Sequence, residues 1–202
     1  MHTEFLILSE ADEARWSFLS VARDPELRGS GERLAVLDIG GGSVEVALGR
    51  DEIAQWFSFP AGAGRLRETT LPSDPPDKRE VQNATRLLDE IFEPLRALPP
   101  PQRAVSIGGT GVNLAMLALE STEFAPARAH GVWIDMETVV TLRERLMRLS
   151  DTERRALHGI EPDRAPLLHI GVLIIERALL ALRREAIQIS MRGLRYGILW
   201  NL

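Results

Sequence analysis

The feature that most constrains this chain is the run Leu37-Asp38-Ile39-Gly40-Gly41-Gly42-Ser43-Val44-Glu45. Apolar residues on either side, Leu34 to Leu37 before and Val44 to Leu48 after, read as two strands joined by a sharp glycine turn. Three glycines in a row permit positive φ and let the backbone approach an anion with no Cβ in the way. Their N–H groups can then form a nest around phosphate oxygens. Asp38 ends the first strand and Glu45 lies two residues past Ser43, so both can face one divalent cation. Oxygen donors of this kind suit Mg²⁺. The plainer alternative is a glycine-rich hairpin in which Asp38 only stabilises the turn.

A second run, Ser106-Ile107-Gly108-Gly109-Thr110-Gly111, is again an apolar strand entering a glycine turn, here ahead of a helix. Free N–H groups at a helix start bind anions, although an ordinary β–α turn capped by Thr110 fits the same residues. Two such loops in one chain point to phosphate more strongly than either alone. The net charge of −5 does not oppose that, since a local glycine loop binds phosphate whatever the global balance. It does argue against a broad basic surface for nucleic acid, and no nucleic-acid partner is expected. A third candidate is Asp12-Glu13-Ala14-Arg15 on a predicted first helix. A carboxylate held beside a phosphoryl group can take a proton from attacking water, but a solvated acidic first turn would look the same.

Other chemistries are disfavoured. There is no cysteine, hence no thiolate ligand, thiol nucleophile or disulfide, which fits a reducing compartment. His2, His130, His158 and His169 are scattered with no metal-ligand spacing, so a histidine metal site is not expected. No nucleophile-elbow pattern is present. The start lacks a basic region ahead of its short apolar run. The longest apolar stretch, 167–182, is short of the roughly 20 residues of a bilayer span and is broken by charges. A cytoplasmic protein with no membrane partner is the expectation. At 202 residues, 45% hydrophobic and 26% charged, the chain can bury a substantial core.

The remaining periodicities predict a strand at 4–8, a helix at 10–20 with Ser9 as N-cap, and a loop at 28–31. A third strand at 53–59 completes an antiparallel meander. A long helix at 79–98 should kink at Pro94. A strand at 104–107 and a helix at 112–119 follow, then helices at 136–149, 151–157 and 164–183, a strand at 186–189 and a short C-terminal helix. Pro72 to Pro76 reads as a flexible loop. Strands followed by αβα units predict an α/β protein with a mixed sheet and helices packed on it.

These residues resemble the exopolyphosphatase / guanosine pentaphosphate phosphohydrolase (Ppx/GppA) family, whose fold belongs to the actin–Hsp70–sugar-kinase superfamily. Leu8 to Arg15 is similar to the family's "lSGxEEAr" segment, Leu37 to Glu45 to its "vlDIGGGSTE" loop, and Ile107 to Thr110 to its later glycine-Thr loop. Arg164-Ala165-Pro166 through Gly171, and Ile189-Ser190 through Leu199, resemble its closing segments. The resemblance implies a ribonuclease H-like (actin-like ATPase) lobe and Mg²⁺-assisted hydrolysis of a terminal phosphoanhydride in polyphosphate or guanosine pentaphosphate. Carried over by position, Glu13 is the general base, Asp38 and Glu45 hold the metal, and Gly40, Gly41, Gly42, Ser43, Gly109 and Thr110 cradle phosphate.

The match departs from the family at Asp12, Val44 and Pro166, where the family has Glu, Thr and Asp. The family's first lobe, with its own phosphate loop, has no counterpart here. Residues 1–30 then represent the end of the first-lobe region with the base-bearing helix, and 31–202 the second lobe. With half the clamp missing, the site opens to water and hydrolysis should be impaired. An exposed inter-lobe face favours a homodimer. The competing readings are a non-enzymatic nucleotide or alarmone sensor on the same scaffold, and a kinase of the wider superfamily.

Overall fold

The structure is a computed structural model that describes residues 8–27, 29 and 31–200. Apart from Leu8, the strand predicted at 4–8 lies outside the described residues, as do Arg28 and Ser30 of the predicted loop. The first helix, α1, spans Glu10–Ala22, and the Ser9 side chain caps it by accepting from the Asp12 N–H. The meander follows as β1 (Leu34–Ile39), β2 (Val44–Gly49) and β3 (Ile53–Phe59), with both pairings antiparallel. After it come a short helix α2 (Ala63–Thr69), α3 (Lys78–Ile91) and α4 (Glu93–Arg96). β4 (Arg103–Ile107) runs directly into α5 (Gly108–Ala118). A 3₁₀ turn at Pro126–Ala129 leads to β5 (Trp133–Asp135), α6 (Met136–Arg148) and α7 (Asp151–Arg155). The chain continues through α8 (Ala165–Ala181), β6 (Ala186–Ile189) and α9 (Leu194–Leu199).

The six strands of the described residues form one mixed sheet in the order β3-β2-β1-β4-β6-β5. β1, β4 and β6 are parallel neighbours, so their C-terminal ends open on one edge. This is the mixed α/β sheet with packed helices that the periodicities predicted, and it agrees with the ribonuclease H-like fold that the resemblance implies. One face buries Leu37, Ile39, Val46 and Leu48 against the nearly all-apolar α8 and the helices around it. The other face is covered by α1, whose Phe18, Leu19 and Val21 pack on Leu34, Val36, Ala47, Val105 and Ile107. Because side chains alternate along a strand, Asp38 and Glu45 belong to this second face, with Val36 and Ala47.

Four expectations are corrected. The long helix breaks at Phe92 rather than kinking. Pro94 lacks an N–H for the preceding turn, so it sits in the first turn of a separate α4 instead. α5 begins at Gly108, which makes the glycines its first turn and not a loop before it. The Pro72 to Pro76 segment is tethered. Arg67 donates to the Leu71 and Ser73 carbonyls, Ser73 Oγ donates to Glu80, and Asp74 is bonded by the buried Arg154 and the Asp151 N–H. Finally, α2 and β5 have no counterpart among the predicted elements. One is seven residues long with a Gly-Ala-Gly run at its start and the other only three, too short to show a period.

Candidate active site

The cleft is built where β1 and β4 end. Asp38 is directly opposite Glu45 across the β1–β2 pair, and Glu45 opposite Ser58 across β2–β3, whose hydroxyl donates to Glu45 Oε1 at 3.0 Å. α1 lies on the same face and brings Glu13 into range. Burial, the Glu45 carboxylate and the Glu13 carboxylate, in that order, push the Asp38 carboxyl up to about 6, with Arg164 opposing them. Three carboxylates from three elements are thus electrostatically coupled, and the charge they carry is incompletely balanced. That surplus, held on hard oxygen donors, fits a divalent cation such as Mg²⁺ at Asp38 and Glu45.

The first glycine loop is shaped differently from the expectation. None of Gly40, Gly41 and Gly42 has positive φ. Instead the loop is gripped by its carbonyls. Gly62, Ala63 and Arg65 at the start of α2 donate their N–H groups to the Gly42, Gly40 and Gly41 oxygens at 3.2, 3.0 and 2.9 Å. The Gly40 N–H closes the turn onto the Ser43 carbonyl at 3.0 Å. Among the described residues, the N–H groups of Gly41, Gly42 and Ser43 make no hydrogen bond to the protein. A Cβ added at Gly41 or Gly42 would point into empty space. The loop thus has N–H groups without a protein acceptor and open space beside Gly41 and Gly42, where an anion has room.

Facing it, Gly108 turns the chain at φ +81°, and a Cβ there would stand 3.0 Å from Asp38 Oδ1. α5 starts with no side-chain cap, so Thr110 does not fill that role and the first-turn N–H groups are left for a ligand. The Arg164 side chain lies over Gly109, where a Cβ would sit 3.1 Å from Arg164 Nε. A cavity of about 410 Å³ joins these parts, lined among others by Gly40, Gly41, Thr110, Glu161 and Arg164. The structure thus brings Asp38, Glu45 and Glu13 together on one side, and Gly40, Gly41 and Thr110 around a common cavity.

Residues 3–202 match the Ppx/GppA phosphatase family. The chain belongs to that family. Among curated relatives it is 35% identical over 201 residues to Exopolyphosphatase 1 of Mycobacterium bovis, covering 97% of this chain and 58% of the relative. It is 33% identical over 183 residues to Exopolyphosphatase 2 of Mycobacterium tuberculosis, covering 89% of this chain and 57% of the relative. The chain therefore spans under three-fifths of the relatives it matches. The Ppx/GppA family member of Aquifex aeolicus superposes with a TM-score of 0.87 at 26% identity, over 96% of this chain and 62% of that one. An exopolyphosphatase from Cytophaga hutchinsonii gives 0.82 at 26% identity, over 95% and 62%.

Within this Ppx/GppA lobe, sequence reasoning missed three supports of the site. Gly62 is one: its Cβ would fall 2.5 Å from the Gly41 carbonyl carbon and oxygen, so only glycine lets α2 reach the loop. The Ala61-Gly62-Ala63-Gly64 run just after β3 was the available signal. The fully buried Asn113 is another, donating to the Gly109 carbonyl at 2.8 Å and accepting from the Glu161 N–H at 2.7 Å. Arg164 is the third, since its place in a closing segment gives no hint of the loop it covers. Elsewhere, Asp24, Glu26 and His130 gather ligand-capable atoms within 4.8 Å of one another, which their sequence spacing did not disclose.

Proposed function

We propose that this chain carries the catalytic face of a phosphatase that releases terminal phosphate from polyphosphate or guanosine pentaphosphate with Mg²⁺. The relatives named above as exopolyphosphatases favour polyphosphate. The observation that carries the reading is the convergence of Glu13, Asp38 and Glu45 beside unpaired backbone N–H groups of the first glycine loop and of the uncapped start of α5. The Gly41, Gly42 and Ser43 amides hold one phosphate, and the uncapped start of α5, with Gly109 and Thr110, holds its neighbour. Arg164 balances charge at the mouth. Glu13 is the one exposed member of the carboxylate trio, and its oxygen accepts the proton of an attacking water. As that water's oxygen bonds to the terminal phosphorus, the anhydride P–O bond breaks, and inorganic phosphate leaves with the shortened chain. A magnesium ion on Asp38 and Glu45 would neutralise phosphate charge.

In this reading residues 31–202 are the second lobe of a two-lobed enzyme, and residues 1–30 supply the base-bearing helix. Because one lobe by itself leaves such a cleft open to water, turnover by residues 1–202 on their own is expected to be weak. The test therefore reads binding as well as turnover. Glu13→Gln should keep Mg²⁺-dependent polyphosphate binding and lose at least about 100-fold in phosphate release. Gly41→Asp puts a carboxylate into open space without touching the core, and should abolish binding in a folded protein. Unchanged binding in Gly41→Asp would remove the phosphate loop from the proposal, and unchanged release in Glu13→Gln would remove the base.

A further inference from the structure

Away from the cleft, three loops meet on the α1 side of the sheet: the turn after α1, the segment entering β5 and the segment leaving β6. They bring together Asp24, Glu26, His130 and Arg192. Asp24 is fully buried, and the His130 side chain is only 5% exposed. Both ring nitrogens of His130 and Oδ2 of Asp24 are buried with no hydrogen-bond partner. Buried polar groups left unsatisfied are costly and rare in folded proteins, so these ask for an explanation.

Arg192 gives the arrangement its direction. It donates to Asp24 Oδ1 at 2.7 Å and to Glu26 Oε1, while the Glu26 N–H also donates to Asp24 Oδ1 at 2.9 Å. Both carboxylates are thereby held by one oxygen each. The oxygens left over, Oδ2 and Oε2, stand 3.3 and 3.9 Å from His130 Nε2. His130 Nε2 and Asp24 Oδ2 are close enough for a hydrogen bond but do not make one. Ligands bonded at about 2.0–2.1 Å in a tetrahedral set stand about 3.3 Å apart, so the spacing suits two neighbours on one metal. One imidazole nitrogen with two carboxylate oxygens favours a zinc-class ion over Mg²⁺, which prefers oxygen alone.

We propose that Asp24, Glu26 and His130 form a structural site for a zinc-class divalent ion, with Arg192 orienting both carboxylates and water completing the set. The Glu26 side chain is 61% exposed and swings aside to admit the ion. Bound there, the metal ties the end of α1 to the β5–β6 edge of the sheet, apart from the Asp38–Glu45 pair.

The test is zinc bound per chain after chelation and dialysis, measured by elemental analysis, with titration calorimetry for affinity. Wild type should take up one Zn²⁺ that excess Mg²⁺ does not displace, and should melt at a higher temperature with it than after chelation. His130→Ala should lose the site. Glu26→Gln alters an exposed side chain and should weaken binding at least about 10-fold in a protein that still folds. Asp38→Asn should leave this zinc in place, which separates the site from the cleft. No stoichiometric zinc in wild type, or equal affinity in wild type and Glu26→Gln, would overturn the proposal and leave an ordinary ion-pair cluster.

Discussion

Asp38 is held in a state it would not choose for stability. Its carboxyl is pushed up to about 6 from the usual carboxylate value, chiefly by burial and then by Glu45 and Glu13. The folded protein therefore holds this proton more tightly than the unfolded chain does. Stability from this group is present at low pH and declines as pH rises from about 4 towards 6, where each pH unit costs at most roughly 1.4 kcal/mol. Asp38→Asn should accordingly raise the unfolding free energy measured in urea at pH 7 by about 1–3 kcal/mol, while losing phosphate release. A lower value would mean that favourable contacts hold the carboxylate. His169, in the second turn of α8, runs the other way. Burial first, then Arg154 and Arg67, push it down to about 3 against the opposing pull of Asp74. It folds neutral, with both ring nitrogens unpartnered. Unfolding lets it charge, so its contribution is intact above about pH 6.5 and is lost as pH falls from there towards 3. Replacing it by Leu should flatten the acid limb of a stability–pH curve without lowering the neutral plateau by more than about 1.5 kcal/mol. An unchanged slope would show that His169 is not what titrates.

Between elements, the site depends on close backbone contact more than on side chains. α2 reaches the glycine loop only because Gly62 has no Cβ, and its N–H groups occupy the loop's carbonyls while the Gly41, Gly42 and Ser43 amides keep no protein acceptor. Gly62→Ala should distort that contact, cost about 1–3 kcal/mol by overpacking, and weaken polyphosphate binding out of proportion to the stability loss. Equal losses in both would make Gly62 a packing residue only. The tether on the 72–76 loop behaves likewise. Arg154 is fully buried and bonds Asp74 and the carbonyls of Leu146 and Leu149. Asp74→Ala would strand its guanidinium, and chemical denaturation should show about 3–5 kcal/mol lost. The capped helices and the meander were legible because their signals are local: Ser9 before an acidic turn, and alternating strands around a glycine turn. α2 was illegible because its seven residues are helical for a tertiary reason.

At the scale of the whole molecule, the sheet order puts the ends of β1 and β4 side by side, and this is what makes one cleft from two glycine motifs distant in sequence. The chain spans under three-fifths of the curated relatives it matches. The proposed homodimer should give twice the chain mass in light scattering; a monomer at high concentration would refute it. The sequence by itself determined the family, the strands that carry Asp38 and Ser106, and the residue types able to handle phosphate, because loop chemistry and side-chain period are written locally. Only tertiary structure decided which glycine amides stay free, that Glu13 shares a face with Asp38 and Glu45, and that Asp24, Glu26 and His130 converge. Those outcomes depend on which backbone groups are consumed by distant partners, and no spacing along the chain encodes that.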